Sequence, residues 1–119
     1  TYRSVGIRTS IFVDADPELV KHAADCCTDR VELYTEPYAD NFHVNRETAI
    51  EPFYNAAVAA KEVGLGLNAG HDLNLDNLRF FTQTIPWLLE VSIGHALIAD
   101  ALYYGLENTI QMYLKQTRG

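Results

Sequence analysis

Cysteine is scarce in this sequence: it has two in 119 residues, and these two, Cys26 and Cys27, are neighbours. Adjacent cysteines rarely form a disulfide with each other, so the chain lacks the cysteine framework of a small secreted domain. We expect both thiols to lie buried at the end of a helix, as small apolar side chains. The sequence also lacks a cysteine–histidine cluster with zinc spacing, and it predicts no metal site.

Long apolar runs and positive charge are also scarce. No run approaches the roughly 20 apolar residues that span a membrane, and the first four residues do not resemble a signal peptide. We therefore expect a soluble cytoplasmic protein without a membrane partner. Nine lysines and arginines stand against sixteen aspartates and glutamates, a formal charge of −7, which argues against nucleic-acid binding. A phosphorylated small molecule is still compatible, because backbone N–H groups at a helix start bind phosphate without net positive charge.

The sequence does contain a strand–helix pattern that repeats four times. Short apolar or β-branched runs predict strands over residues 8–14, 31–35, 65–69 and 88–93. Helices are predicted at about residues 17–27, 45–63, 74–85, 96–104 and 107–115, and a loop at 36–43. Strict alternation is typical of an α/β protein with a parallel sheet. Four βα units are half of an eight-fold barrel of about 250 residues, and two bare sheet edges would invite association. We interpret the chain as half of a larger fold.

Two of the predicted helices carry clear start signals and apolar stripes. Asp16 is predicted to cap the first, with Leu19, Ala23 and a cysteine on its inner face. Asn45 or Thr48 is predicted to begin the longest helix. Its apolar stripe at three-to-four spacing is Ile50, Phe53, Ala57, Ala60 and Val63.

A histidine–aspartate pair follows the third predicted strand. The run Leu-Gly-Leu-Asn-Ala-Gly leads directly into His71 and Asp72. In parallel α/β folds, the carboxyl ends of the strands deliver side chains to the edge that binds ligands. A histidine changes charge near neutral pH, so it can give or take a proton during a reaction. His71 is therefore a candidate acid–base residue.

Two other strands carry candidate site residues. Glu32 interrupts an apolar strand, where a carboxylate must face either solvent or a lined cavity. If it faces the inside of a barrel, it could stabilise developing positive charge. Gly94 and His95 follow the fourth strand and open a helix, where a glycine allows an anion to approach free N–H groups. A plain tight turn is the alternative for this pair.

Four segments carry a resemblance to a known family. They are Ser-Ile-Phe-Val-Asp-Ala-Asp at 10–16, Val-Glu-Leu-Tyr-Thr at 31–35 with Tyr-Ala-Asp at 38–40, Leu-Asn-Ala-Gly-His at 67–71, and Val-Ser-Ile-Gly-His-Ala-Leu-Ile at 91–98. The sequence resembles pyridoxine 5′-phosphate synthase over essentially its whole length. That family condenses 1-deoxy-D-xylulose 5-phosphate with 3-amino-2-oxopropyl phosphate to build the vitamin B6 ring. The resemblance implies that this chain, with its four parallel βα units, is the C-terminal half of a (β/α)₈ TIM barrel.

The resemblance also implies a role for each matching residue. His71 matches the catalytic proton donor, and Glu32 matches the glutamate that stabilises the transition state. Gly94 and His95 match the pair that holds the phosphate of the amino-ketone substrate. Asp72 stands where many members have a glycine of the same phosphate site. Its backbone N–H could still bind phosphate there, but its carboxylate would have to turn away.

Glu36 is a second departure from the family pattern, at a position where a glycine often follows the threonine.

Other features of the resemblance concern partners. The family's other catalytic histidine and glutamate, and its phosphate-binding arginines, belong to the first four βα units, which this sequence does not match. The resemblance thus implies the N-terminal half of the same enzyme as a partner, phosphorylated small-molecule substrates, no cofactor and a homo-oligomer, an octamer in the family. Two alternatives stay open: another phosphate-binding TIM-barrel isomerase or lyase, and a non-catalytic half-barrel assembly module.

Overall fold

Four parallel strands form one sheet. The computed structural model describes residues 6 and 9–118, and its strands are β1 (Ser10–Val13), β2 (Arg30–Tyr34), β3 (Gly66–Gly70) and β4 (Glu90–Ser92). Each strand pairs with the next one along the chain, always in parallel. The predicted α/β fold of four parallel βα units is confirmed, and this strand order is that of half a barrel. Arg8, predicted to begin the first strand, lies outside the described residues.

Within the described part of the chain, helices connect and flank the strands. They are α1 (Pro17–Asp25), α2 (Glu36–Asn41), α3 (Arg46–Glu62), α4 (Leu78–Thr84), α5 (His95–Tyr104) and α6 (Leu106–Thr117). The prediction of a loop over residues 36–43 is wrong, because α2 occupies most of that segment. Pro37 stands in its first turn, where a proline is compatible with a helix, and Tyr38 is its buried residue. None of these described helices is long and apolar enough to cross a membrane.

Side-chain caps fix the starts of α1 and α3. Asp16 accepts the backbone N–H of Glu18 at 2.9 Å, as predicted. Asn45 accepts the N–H of Thr48 at 3.1 Å, so Asn45 is the cap of the longest helix. A cap of this kind contributes about 1 kcal/mol. Gly64 follows α3 with φ +77°, a left-handed conformation that ends the helix and favours glycine.

One face of the sheet is apolar and covered by helices. Val31 and Leu33 of β2 and Leu67 and Ala69 of β3 are at most 1% exposed, and they share one core with α3. The predicted α3 stripe is buried at four of its five positions, which are Ile50, Phe53, Ala57 and Ala60. The fifth position, Val63, is exposed because it already forms the C-cap of the helix.

Three aromatic rings hold α2, α3 and α4 together. Tyr38, Phe53 and Phe81 are nearly inaccessible to solvent, and their ring centroids lie 5.0 to 5.9 Å apart in edge-to-face arrangements. Each such pair contributes about 0.5–1.5 kcal/mol beyond the burial of its area. The Tyr38 hydroxyl donates to the carbonyl of Asn77, so its polar end is satisfied inside the core.

The inner face of α1 differs from the prediction. Val20 and Ala23 are buried, whereas Leu19 is exposed. The predicted burial of Cys26 and Cys27 is wrong, because both thiols are exposed. The physical reason is that α1 ends one residue before them. Cys26 forms the C-cap and Cys27 turns with φ +57°, so the pair lies in the turn that leads to β2.

The opposite face of the sheet is polar. Strand pairing aligns Glu32 with Asn68 and Asn68 with Glu90, and residues paired across parallel strands share a face. The Arg30 guanidinium donates to Asn68 Oδ1 at 3.2 Å and to Glu90 Oε1 at 2.8 Å. Phe12, the partner of Glu32 on β1, is 65% exposed on this side. The inside of a half-barrel has this character, with side chains that alternate away from the helices.

The helix-covered face is expected to carry most of the stability of the chain. Phe53→Ala should lower the free energy of unfolding by about 3–5 kcal/mol, because it opens a cavity among the three rings. Urea denaturation followed by circular dichroism measures the loss. Phe12→Ala is the matched control: it removes the same ring from an exposed position and should change stability by less than about 0.5 kcal/mol. Equal losses from the two variants would contradict this assignment of the core.

Candidate active site

His71 stands directly after β3, and its backbone is held by the end of β2. The N–H of Thr35 donates to the Gly70 carbonyl at 2.9 Å, and the Thr35 hydroxyl donates to the His71 carbonyl. Thr35 is fully buried, so water does not compete for these bonds. His71 has φ +95°, which non-glycine residues seldom adopt. The two bonds from Thr35 hold the chain in this conformation.

The imidazole of His71 is restrained by two neighbours. Its Nδ1 lies 3.2 Å from Oδ2 of Asp72. Its ring centroid lies 4.7 Å from that of Tyr34, with the rings tilted by 57°. The hydroxyl of Tyr34 in turn donates to the carboxylate of Glu36. About half of the His71 side chain is exposed, so the ring is positioned but open to a ligand.

Glu36, His71 and Asp72 form a cluster whose spacing a metal ion could bridge. One donor atom from each lies within 4.8 Å of the others. Glu36 accepts the Tyr34 hydroxyl, and Asp72 faces His71 Nδ1, so both carboxylates have partners without an ion. The sequence does not predict the cluster, because Glu36 begins α2 whereas His71 and Asp72 follow β3, 35 residues later along the chain.

Glu32 lies on the polar face of β2, where it is only 9% exposed. Ser92 of β4 donates its hydroxyl to Glu32 Oε1 at 3.4 Å. A β-carbon at Gly70 would come within 2.8 Å of Glu32 Oε2, so any larger residue there would force the carboxylate to move. Burial raises the pKa of Glu32 above its ordinary value; the Ser92 hydroxyl opposes this rise and the charge of Glu90 adds to it.

The ends of β3 and β4 open on one cavity of about 340 Å³. Its lining residues are His71, Asp72, Leu73, Ser92, Ile93, Gly94, His95 and Ala96. Gly94 is the N-cap of α5, and no side chain caps that helix start. A β-carbon at Gly94 would have no heavy atom within 4 Å. The first turn of α5 therefore presents its N–H groups to open space in the cavity that His71 also lines.

The structure brings the predicted site residues together. His71, Asp72, Gly94 and His95 line the cavity, and Glu32 reaches its edge through Ser92. Sequence reasoning assigns no role in the site to Tyr34 or Thr35. The two-residue period of a strand places Tyr34 on the same face as Glu32, and this signal could have identified it. No sequence signal points to the bond from Thr35 to His71, because it depends on the unusual turn at His71.

Comparison with known proteins identifies the family. The sequence model of the family described as "Pyridoxal phosphate biosynthesis protein PdxJ" matches residues 1–119. The chain belongs to this family. The resemblance drawn from the four segments is thereby confirmed.

Several curated relatives within this family carry the name pyridoxine 5′-phosphate synthase. A relative from Cytophaga hutchinsonii is 60% identical over 117 residues, which cover 98% of this chain and 49% of the relative. One from Bacteroides thetaiotaomicron is 62% identical over 112 residues, covering 94% of this chain and 47% of the relative. One from Parabacteroides distasonis is also 62% identical, over 113 residues and 48% of its length. The chain spans about half the length of the curated relatives it matches.

The buried carboxyl of Glu32 is expected to make stability depend on pH. Because its folded-state pKa is raised, the folded state holds the proton more tightly than the unfolded state does. This contribution to stability is present below about pH 4.5, the ordinary pKa, and is lost as the pH rises through the folded-state pKa. Glu32→Gln has no proton to lose. Its free energy of unfolding should therefore rise relative to the unaltered chain from pH 4.5 towards neutrality.

Urea titrations at several pH values measure this difference. Glu62→Gln, on the exposed side of α3, is the control and should leave the pH dependence as it is. A constant difference between Glu32→Gln and the unaltered chain at all pH values would show that burial does not disfavour the Glu32 carboxylate.

Proposed function

We propose that this chain is the C-terminal half of a pyridoxine 5′-phosphate synthase. The reaction would condense 1-deoxy-D-xylulose 5-phosphate with 3-amino-2-oxopropyl phosphate to give pyridoxine 5′-phosphate. One observation carries the proposal: in a chain of the PdxJ family, a single cavity joins a restrained histidine to an uncapped helix start. The first can move protons and the second can bind a phosphate.

His71 would be the proton donor. Formation of the ring requires a carbonyl–amine condensation and dehydrations, and each of these steps moves protons to or from nitrogen and oxygen. The half-exposed imidazole can reach a substrate in the cavity, while Tyr34 and Asp72 limit its rotation. Glu32 lies deeper on the polar face, where a carboxylate would stabilise positive charge that develops on a protonated nitrogen.

Gly94 and His95 would hold the phosphate of the amino-ketone substrate. Helix α5 runs for ten residues, and its dipole places partial positive charge at this end. The open space over Gly94 lets a phosphate oxygen approach the backbone N–H groups. Asp72 lines the same cavity, and its backbone N–H could contribute, because its carboxylate is directed to His71.

The N-terminal half of the enzyme would complete the barrel and the site. Its natural positions are the outer edges of β1 and β4, which are the ends of the four-stranded sheet. Phosphorylated substrates would then lie between the two halves. We extend the proposal to a cytoplasmic homo-oligomer of complete barrels, an octamer in the family that the sequence resembles.

A lysine-dependent lyase of the same fold is the less suitable alternative. A Schiff-base mechanism needs a lysine that projects into the cavity. The lysines of this sequence are Lys21, Lys61 and Lys115. They lie on α1, α3 and α6, and none of them lines the cavity beside His71.

The proposal predicts that the 119-residue chain alone forms no pyridoxine 5′-phosphate and that an added N-terminal half allows the product to form. The test mixes or fuses the chain with the half of the Cytophaga hutchinsonii relative that it does not match. Product is measured by mass spectrometry with both substrates supplied. His71→Asn in the same assembly should slow turnover by about 10²–10⁴.

Three outcomes would reject the proposal, and the first is a folded assembly that forms no product from the two substrates. Full turnover by the purified chain alone would show that the half-barrel needs no partner. Activity of the folded assembly that is unchanged by His71→Asn would show that the chemistry takes place elsewhere.

If Gly94 belongs to the phosphate site, a branched side chain at residue 94 should weaken binding of the phosphorylated substrate selectively. Gly94→Val should raise the KM of the amino-ketone phosphate, because a branched side chain fills the space in front of the α5 N–H groups. An analogue without that phosphate should lose little affinity. Gly94→Ala, with a single methyl group, is the graded control and should show a smaller rise in KM. If both ligands weaken equally, Gly94 serves only as a turn.

A further inference from the structure

We infer that Asp72 is a positioning residue that fixes the tautomer of His71 and directs its Nε2 to the substrate. The inference rests on the proposed function, in which His71 transfers a proton. It assigns the Asp72 side chain a task that differs from phosphate binding. Only the backbone N–H of this residue is then left for the phosphate.

The geometry around Nδ1 carries the argument. Oδ2 of Asp72 lies 3.2 Å from Nδ1 of His71. An ionised carboxylate has lone pairs and no hydrogen to donate, so at this distance its negative charge favours a hydrogen on the ring nitrogen that faces it, which is Nδ1. In a neutral imidazole the second nitrogen is then unprotonated. Nε2 is thus the nitrogen that exchanges a proton with a ligand, and Asp72 determines that choice.

The orientation of the ring is fixed from a second direction. Tyr34 contacts the imidazole at a centroid distance of 4.7 Å, and its own hydroxyl is tethered to Glu36. Rotation of the His71 side chain would break the Nδ1 contact and the ring contact together. The pair of neighbours therefore holds one edge of the imidazole, and the exposed half is the part that a substrate can reach.

The backbone conformation brings the Asp72 carboxylate next to the imidazole of His71. His71 and Asp72 both have positive φ, +95° and +59°. Two consecutive residues in this region bend the chain back on itself, so that neighbouring side chains can meet. Aspartate tolerates the left-handed conformation better than most residues do, although glycine adopts it most easily. The turn is stabilised by Asn77, whose side-chain amide donates to the Asp72 carbonyl at 3.2 Å.

The test reads the tautomer directly. This chain is labelled with ¹⁵N-histidine and assembled with the unlabelled N-terminal half, and the imidazole nitrogen shifts are recorded by NMR. The chain has four histidines, and His71→Gln identifies the signal of residue 71. The inference expects the hydrogen on Nδ1 in the unaltered chain. It expects a shift towards hydrogen on Nε2 in Asp72→Gly, which suits the backbone, and in Asp72→Asn, which keeps the side-chain size.

Kinetics supply a second readout on the same assemblies. Loss of the carboxylate should lower kcat by roughly 10-fold, the lower end of what an orienting partner contributes. The KM of either phosphorylated substrate should change less than two-fold, because the phosphate does not contact the carboxylate. Asp76→Asn alters a nearby exposed aspartate outside the cavity and should leave both the tautomer and kcat unchanged.

Three results would overturn the inference. One is a hydrogen on Nε2 in the unaltered chain, and another is a tautomer that Asp72→Gly does not change. The third is a KM that rises in the Asp72 variants while kcat is unchanged. This would show that the Asp72 carboxylate takes part in ligand binding instead. An assembly that folds but forms no product would reject the proposed function instead, and the NMR shifts would still decide the role of Asp72.

Discussion

The register between β2 and β3 is the constraint on which the site depends. It sets Glu32 opposite Asn68 and Tyr34 opposite Gly70. The next residue, Thr35, then reaches the backbone of the β3 end through both its N–H and its hydroxyl. A slip of one residue would turn Glu32 towards the helices and Val31 or Leu33 towards the polar face. The burial of those two apolar side chains therefore fixes the position of the catalytic candidates.

The same register explains why glycine ends β3. Gly70 lies between Glu32 and Ser92 on the polar face, and a β-carbon there would meet both side chains. Because Gly70 has no side chain, room is left for the buried Glu32 carboxylate at the end of β3. The Ser92 hydroxyl of β4 then reaches Glu32 Oε1 across Gly70, at 3.4 Å. Gly70 thus serves both the packing of β3 against its neighbours and the placement of the Glu32 carboxylate. A larger residue at position 70 would disturb both.

Much of this arrangement can be predicted from the sequence. Alternation of strands and helices gives the parallel sheet, and carboxyl-terminal strand ends gather at one edge, so His71, Gly94 and His95 are expected to be neighbours. The caps at Asp16 and Asn45 follow from local chemistry. Helix α2 is too short to give a periodic signal, and the exposure of the cysteines depends on where α1 stops. The position of α2 depends on the burial of Tyr38 against Phe81, a tertiary contact that the local sequence does not reveal.

The contacts around the histidine could not be predicted in the same way. The resemblance marks Asp72 and Glu36 as separate departures from family glycines, 36 residues apart in sequence. In the structure both lie beside His71, one at Nδ1 and the other through Tyr34. Their meeting depends on two positive φ angles that no periodicity in the sequence encodes. Two residues that look independent along the chain thus lie around one imidazole.

On electrostatic grounds, we expect the proposed N-terminal half to bring positive charge to the cavity beside His71. The cavity beside His71 is lined by Asp72 and by backbone N–H groups, and no lysine or arginine is among the lining residues that the structure describes. Arg30, on the same face of the sheet, is already paired with Glu90 at 2.8 Å. A helix start supplies only about half an elementary charge, and the two phosphorylated substrates of the proposed reaction would carry several. In that proposal the remaining charge would be balanced from the side of the cavity that this chain leaves open, where the N-terminal half would lie.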